Sequence, residues 1–209
     1  MTLRTTATTI AIIGCAALTG CTPDGTGDLT SPTSTAVSTS QLPAKAVTVP
    51  PAPSQPARSG STVSYDPCFT IGDEPAASLG FAVDTRTRAD FIADNYAFIG
   101  CEFKRMETIR TNTLSVATLA VRSSNIQLAD YRKRDDFVDK QTTLINGREA
   151  ISYRLRGRTS RERCSIAMAG PDGTIDVTVE SAAALTLWMG CDHIEEAART
   201  IEAVLPKSK

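Results

Sequence analysis

Residues 137–156 read FVDKQTTLINGREAISYRLR, and this stretch decides the fold class. Two extended runs, Phe137 to Ile145 and Arg148 to Arg156, flank the pair Asn146-Gly147. Both residues accept the positive φ angles of a two-residue hairpin turn, so the stretch predicts antiparallel strands. A second hairpin follows, with Arg163 to Ala169 and Thr174 to Ser181 separated by the turn-forming run Gly170-Pro171-Asp172-Gly173. On its return strand Ile175, Val177 and Val179 alternate with Asp176, Thr178 and Glu180. One face is therefore apolar, shared with Ile166 and Met168, and the other is polar.

Beyond these hairpins the periodicity changes to helical. Ile194, Ala197, Ala198, Ile201, Val204 and Leu205 recur at helical spacing, which predicts a helix from about His193 to Leu205. Asp192 is its expected N-cap, with Glu195 three places later, and Pro206 ends it. On the N-terminal side, Ile126 to Arg134 follows Ser123-Ser124-Asn125 and reads as a short helix. Thr113 to Arg122 and Gly100 to Lys104 read as strands. Asp73-Glu74-Pro75 reads as a helix start, stopped by Gly80. The expected fold is α+β: a mainly antiparallel sheet of five or six strands, with N- and C-terminal helices packed on one face. This globular domain is placed at residues 64–209.

Upstream of it the composition changes to Thr, Ser, Pro and Ala, with prolines at 50, 51, 53 and 56. Such a segment cannot bury enough apolar surface to offset chain entropy, so residues 21–63 read as a disordered tether carrying a lipidated cysteine at its head. As a flexible coil it would span roughly 35 Å, and in polyproline geometry on the order of 130 Å. Residues 1–20 read as a signal peptide. Its apolar run, Ile10 to Leu18, falls well short of the ~20 residues a membrane-spanning helix needs. Leu18-Thr19-Gly20-Cys21 has the form of a bacterial lipobox, which assigns Cys21 the lipid and places the protein on the outer face of the plasma membrane.

The 209 residues carry 22 basic and 23 acidic side chains for a net charge of -1, so bulk electrostatics offers no attraction to nucleic acid. Loss of residues 1–20 removes only Arg4 among charged residues. Six cysteines are present; Cys15 falls in the signal peptide and Cys21 takes the lipid. That leaves Cys68, Cys101, Cys164 and Cys191, an even set suited to an exported disulfide framework.

The ordered landmarks resemble the actinobacterial lipoproteins grouped as domain of unknown function 3558. Those landmarks are the lipobox and tether, Asp66-Pro67-Cys68 before a helix ending Ser78-Leu79-Gly80, and Cys101 beside Phe103. They continue with Asn146-Gly147-Arg148-Glu149-Ala150 in place of a Gly-x-x-Ala hairpin, then Cys164, and Cys191 before a helix closing in Leu205-Pro206. Phe103 stands where the family pattern leads one to expect tryptophan. The resemblance implies location and fold and carries over no catalytic residue. Pairing Cys68 with Cys101 and Cys164 with Cys191 would tie each terminal helix to the sheet, although four cysteines permit two other connectivities.

Candidate chemistry is sparse. No CxxC pair accompanies the single histidine, His193, so zinc lacks its usual ligand spacing, and no metal or other cofactor is expected. There is no Gly-x-Ser-x-Gly elbow and no glycine-rich phosphate loop. The pairs Asp135-Asp136 and Glu195-Glu196 read as a turn and a solvated helix start. The most suggestive cluster is the arginine run through 148, 154, 156, 158, 161 and 163, within which Arg154, Arg156 and Arg158 form the candidate anion site. The competing reading is an exposed strand whose arginines are balanced by Asp176 and Glu180. Together these features predict a monomeric, non-catalytic binding or scaffolding domain, anchored to the membrane through its lipid. Its expected partner is an envelope protein, a lipid or an anionic polymer. Alternatives are a lipid or small-ligand carrier, with Trp188, Met189, Leu185 and Leu187 lining a cavity, and an envelope hydrolase.

Overall fold

A computed structural model describes residues 45–56, 61–157 and 161–207. The signal peptide, Cys21 and Arg158 lie outside the described residues. Two short helices, α1 (Pro67–Thr70) and α2 (Glu74–Ser78), precede a sheet built from β1 (Ala82–Arg88), β2 (Phe91–Ile92), β3 (Ala97–Ile109) and β4 (Asn112–Ser124). After α3 (Leu128–Lys133) come β5 (Phe137–Ile145), β6 (Arg148–Leu155), β7 (Arg163–Ala169) and β8 (Thr174–Ser181), and the chain closes with α4 (Gly190–Glu202). All pairings are antiparallel, in the order β1-β3-β4-β8-β7-β6-β5, with β2 beside β3.

The sheet has eight strands, not five or six. The additional strands are β1 and β2. The first, AVDTRTR, is too polar to give a strand pattern, and the second is two residues long. The first long hairpin also lacks a sequence signal. β3 and β4 meet through Arg110-Thr111, with Arg110 itself at φ 58°. An arginine in the left-handed region is uncommon, so no Asn-Gly or Gly pair marks the turn. The Asn146-Gly147 turn does take positive φ at both positions, 49° and 89°. Its Asn146 side chain then donates to the Arg199 carbonyl at 2.9 Å, docking the turn on α4.

Strand alternation sorts the core. Cys101, Leu119, Val177, Val179, Ile166 and Met168 point to one side, where they share a buried cluster with Cys68, Ile71 and Ala76 of the early helical region and with Ile194, Ala197 and Ile201 of α4. On the opposite side α3 lays Leu128 and Tyr131 over Phe137, Ile151, Tyr153 and Ala167. Val49 is buried in the main cluster and Val63 beside Ala97 and Ile99, so packing takes in residues upstream of Tyr65.

Disulfides join Cys68 to Cys101 and Cys164 to Cys191, tying α1 to β3 and β7 to the start of α4. That second staple accounts for a shifted helix start. α4 begins at Gly190, three residues before the expected position, with Met189 rather than Asp192 as its N-cap. A Cβ at Gly190 would lie 2.5 Å from the Glu162 carbonyl oxygen and 2.8 Å from that of Val179, so only glycine lets the first turn sit this close to the strands. At the other end of α4, buried Arg148 donates to Glu202 Oε1 at 3.0 Å and to the carbonyls of Ala169 and Pro206 at 3.0 and 2.7 Å.

Candidate functional site

The polar side of the sheet is a lattice whose rows follow from register. Directly opposed residues of antiparallel strands point the same way, so one row runs Gly100, Arg122, Asp176, Ala167, and the next Glu102, Ala120, Thr178, Ser165. A third holds Lys104, Thr118, Glu180 and Arg163. The small side chain of Ala120 leaves a hollow where these rows meet. The resulting cleft, of about 150 Å³, is lined from β3, β4, β7 and β8 alone, with Arg122, Glu102 and Thr118 among its walls.

Each polar group toward the α3 end is satisfied. Asp176, buried at 2% exposure, accepts from the Tyr153 hydroxyl at 2.5 Å and from Thr178 Oγ1 at 3.0 Å, and Thr178 also meets Ser165 Oγ at 2.8 Å. Burial, reinforced by the Asp176 charge, holds the phenols of Tyr131 and Tyr153 well above their ordinary range, so both remain neutral, Tyr153 donating to Asp176 and Tyr131 accepting from Thr174. Arg163 donates to Glu180 Oε2 at 2.8 Å. Arg122 differs. Among the described residues no hydrogen bond or ion pair engages it, and its Nε is buried without an acceptor; the Nε of Arg163 is likewise buried and unpartnered.

The arginines singled out in the sequence lie elsewhere. Arg154 is engaged by Asp139, which follows its register partner Val138 in the β5 bulge at φ 52°, and Arg156 donates to the Asp135 carbonyl at 2.6 Å. Arg158 lies outside the described residues. Arg161 pairs with Asp192. The carboxylate pairs are similarly engaged, Asp136 by Arg134 at 2.7 Å and Glu195 by Arg199 at 2.5 Å. The hydrogen bond from Arg134 holds the Asp136 carboxyl below its usual range.

His193 is on α4, against the apolar side of the sheet. Its ring stacks on Trp188 with centroids 4.3 Å apart and planes 4° from parallel, and Phe81 meets the indole edge-on at 5.9 Å. The space beside this stack is only about 10 Å³, so Trp188 fills a gap instead of lining a cavity. Leu187, at 97% exposure, points to solvent. Among the described residues no group of three or more His, Cys, Asp or Glu could hold a metal ion, and no helix is long and apolar enough to cross a membrane.

A family model described as "Protein of unknown function (DUF3558)" matches residues 16–203. The chain belongs to the DUF3558 family. No curated protein and no solved structure matches it. In this DUF3558 chain Phe103, the departure from the expected tryptophan, is buried beneath the Arg86 guanidinium, 4.8 Å from the ring centroid. The missed features have one origin. Arg122 is the last residue of the strand read from the sequence at Thr113 to Arg122, and its setting depends on the pairing of β4 with β8, fifty residues later in the chain. One signal was available: Thr118, Ala120 and Arg122 share a face, as do Asp176, Thr178 and Glu180.

Proposed function

We propose that the DUF3558 chain is an exported envelope protein, anchored through a lipid on Cys21, whose folded domain binds its ligand without transforming it. The binding reading is carried by Arg122, a guanidinium lining a cleft with no acceptor of its own among the described residues. A partly desolvated cation gains more from an incoming anion than a hydrated surface one does, because the local dielectric is lower. The export reading is supported by the pairing of all four domain cysteines, a pattern of oxidising compartments. With those four closed, Cys21 keeps its thiol for the diacylglyceryl group, whose two chains suffice for stable anchoring.

A carrier reading draws on a second cavity of about 580 Å³, which lies between Thr70–Pro75, Val204 and the Lys45–Ala46 segment. Its Asp73 wall is already engaged by Arg86 and by the Ala46 amide, which leaves less chemistry free for a ligand than the sheet cleft offers.

Anchoring is tested by metabolic labelling with palmitate in a bacterial host that processes lipoproteins. The wild-type chain incorporates label and its processing stops with globomycin, whereas Cys21→Ala incorporates none. Equal labelling of the two chains contradicts the assignment.

A further inference from the structure

We infer that the cleft around Arg122 holds the carboxylate of a small ligand whose only anionic group this is and which also carries hydrogen-bond donors, an inference that rests on the binding reading above. Five features of the lattice select this chemistry. Arg122 is flanked on β3 by Gly100, where a Cβ would lie 2.0 Å from the Val121 carbonyl oxygen, so its neighbour on that side must lack a side chain. On β8 its neighbour Asp176 accepts one hydrogen bond at each oxygen, from Tyr153 and Thr178, and forms no ion pair with it. The Arg122 side chain thus lines the cleft with no hydrogen bond or ion pair to the described residues. A planar two-oxygen acceptor matches its guanidinium fork bidentately.

Charge then decides between carboxylate and phosphate. Glu102 and Glu180 line the same cleft, and Arg163 already answers Glu180 at 2.8 Å. A dianion would be opposed by both carboxylates, whereas a carboxylate bearing hydroxyl, amide or ammonium groups would offer donors to them. Thr118 and Thr178 add two hydroxyls that can donate or accept. A volume of about 150 Å³ holds a small polar fragment such as one sugar ring or one amino-acid unit, not a lipid tail. A hexuronic acid and a peptide C-terminus both carry this chemistry.

Calorimetric titration of the full chain in detergent with glucuronate, with the dipeptide Ala-Ala and with inorganic phosphate tests the inference. At least one carboxylate should bind saturably, and phosphate should bind at least about ten-fold more weakly. Which carboxylate is preferred identifies the source. Arg122→Gln should weaken carboxylate binding by about ten-fold or more. Ala120→Leu, which fills the floor and leaves Arg122 in place, should weaken it comparably. Phosphate binding as tightly as either carboxylate, or an unchanged Arg122→Gln, overturns the inference without reliance on any variant that misfolds. If the wild-type chain captures envelope material but binds no carboxylate, this inference falls and the binding reading stands. Absence of carboxylate binding together with failure to capture envelope material overturns both.

Discussion

Replacing Arg86 with alanine should lower the stability of the domain by about 3–5 kcal/mol, the cost of breaking a buried ionic cluster. The side chain is fully buried in the middle of β1. It donates to the Cys68 carbonyl at 3.0 Å and the Ile71 carbonyl at 3.3 Å, pairs with Asp73, and covers the Phe103 ring. One guanidinium therefore closes the end of α1, the turn after it and the start of α2 onto the sheet. Alanine would leave two carbonyls without donors, a largely buried carboxylate without its cation, and a void above Phe103. Lysine should rescue little, since one ammonium cannot reproduce the planar fork that reaches three acceptors. Denaturant unfolding of the oxidised variants measures this. A loss below about 1 kcal/mol, the range of a surface pair, would mean the cluster is solvated.

Reduction of the two disulfides should have an effect of similar or greater size. The bridges close loops of 33 and 27 residues, worth about 3.7 and 3.6 kcal/mol in the chain-entropy model. The loops do not overlap in sequence, so the two contributions add in that model. Their sum approaches the whole stability of an ordinary domain, about 5–15 kcal/mol. Thiol reductant should therefore shift the domain toward unfolding at mild denaturant concentration, and Cys164→Ala with Cys191→Ala should loosen the first turn of α4 before the sheet. Hydrogen exchange locates that loosening at residues 190–194. An unfolding midpoint indifferent to reductant would contradict this.

Arg86 also shows where sequence reasoning stops. The hairpins at Asn146-Gly147 and Gly170–Gly173, the stripe of α4 and the even set of cysteines are local patterns, and each is visible in a window of a few residues. β1 carries arginines and threonines at positions that a hydrophobic pattern reads as linker, because Arg86 is buried by what it binds, not by being apolar. The β3–β4 turn hides because Arg110 adopts a glycine-like angle. The cleft is harder still. Arg122 meets Asp176 and Thr178 only when β4 pairs with β8, and no local signal specifies that non-sequential neighbour. The arginines that looked suggestive in a row, Arg154 and Arg156, find acceptors in the adjacent β5 region, at Asp139 and at the Asp135 carbonyl. Arg154 and Arg156 were thus satisfied in space, while among the described residues no hydrogen bond or ion pair engages Arg122.

That contrast makes the central claim a claim about one face of the sheet. Site-specific photocrosslinking on intact cells tests it most directly, with benzoylphenylalanine introduced at Lys104, opposite Thr118 on β3 and beside the cleft, and separately at Glu195, exposed on α4. Crosslinked envelope material from the Lys104 position, reduced by Arg122→Gln and absent from the Glu195 position, is the predicted result. Adducts formed from Glu195 with none from Lys104 would contradict the account and move the binding surface to the helical side.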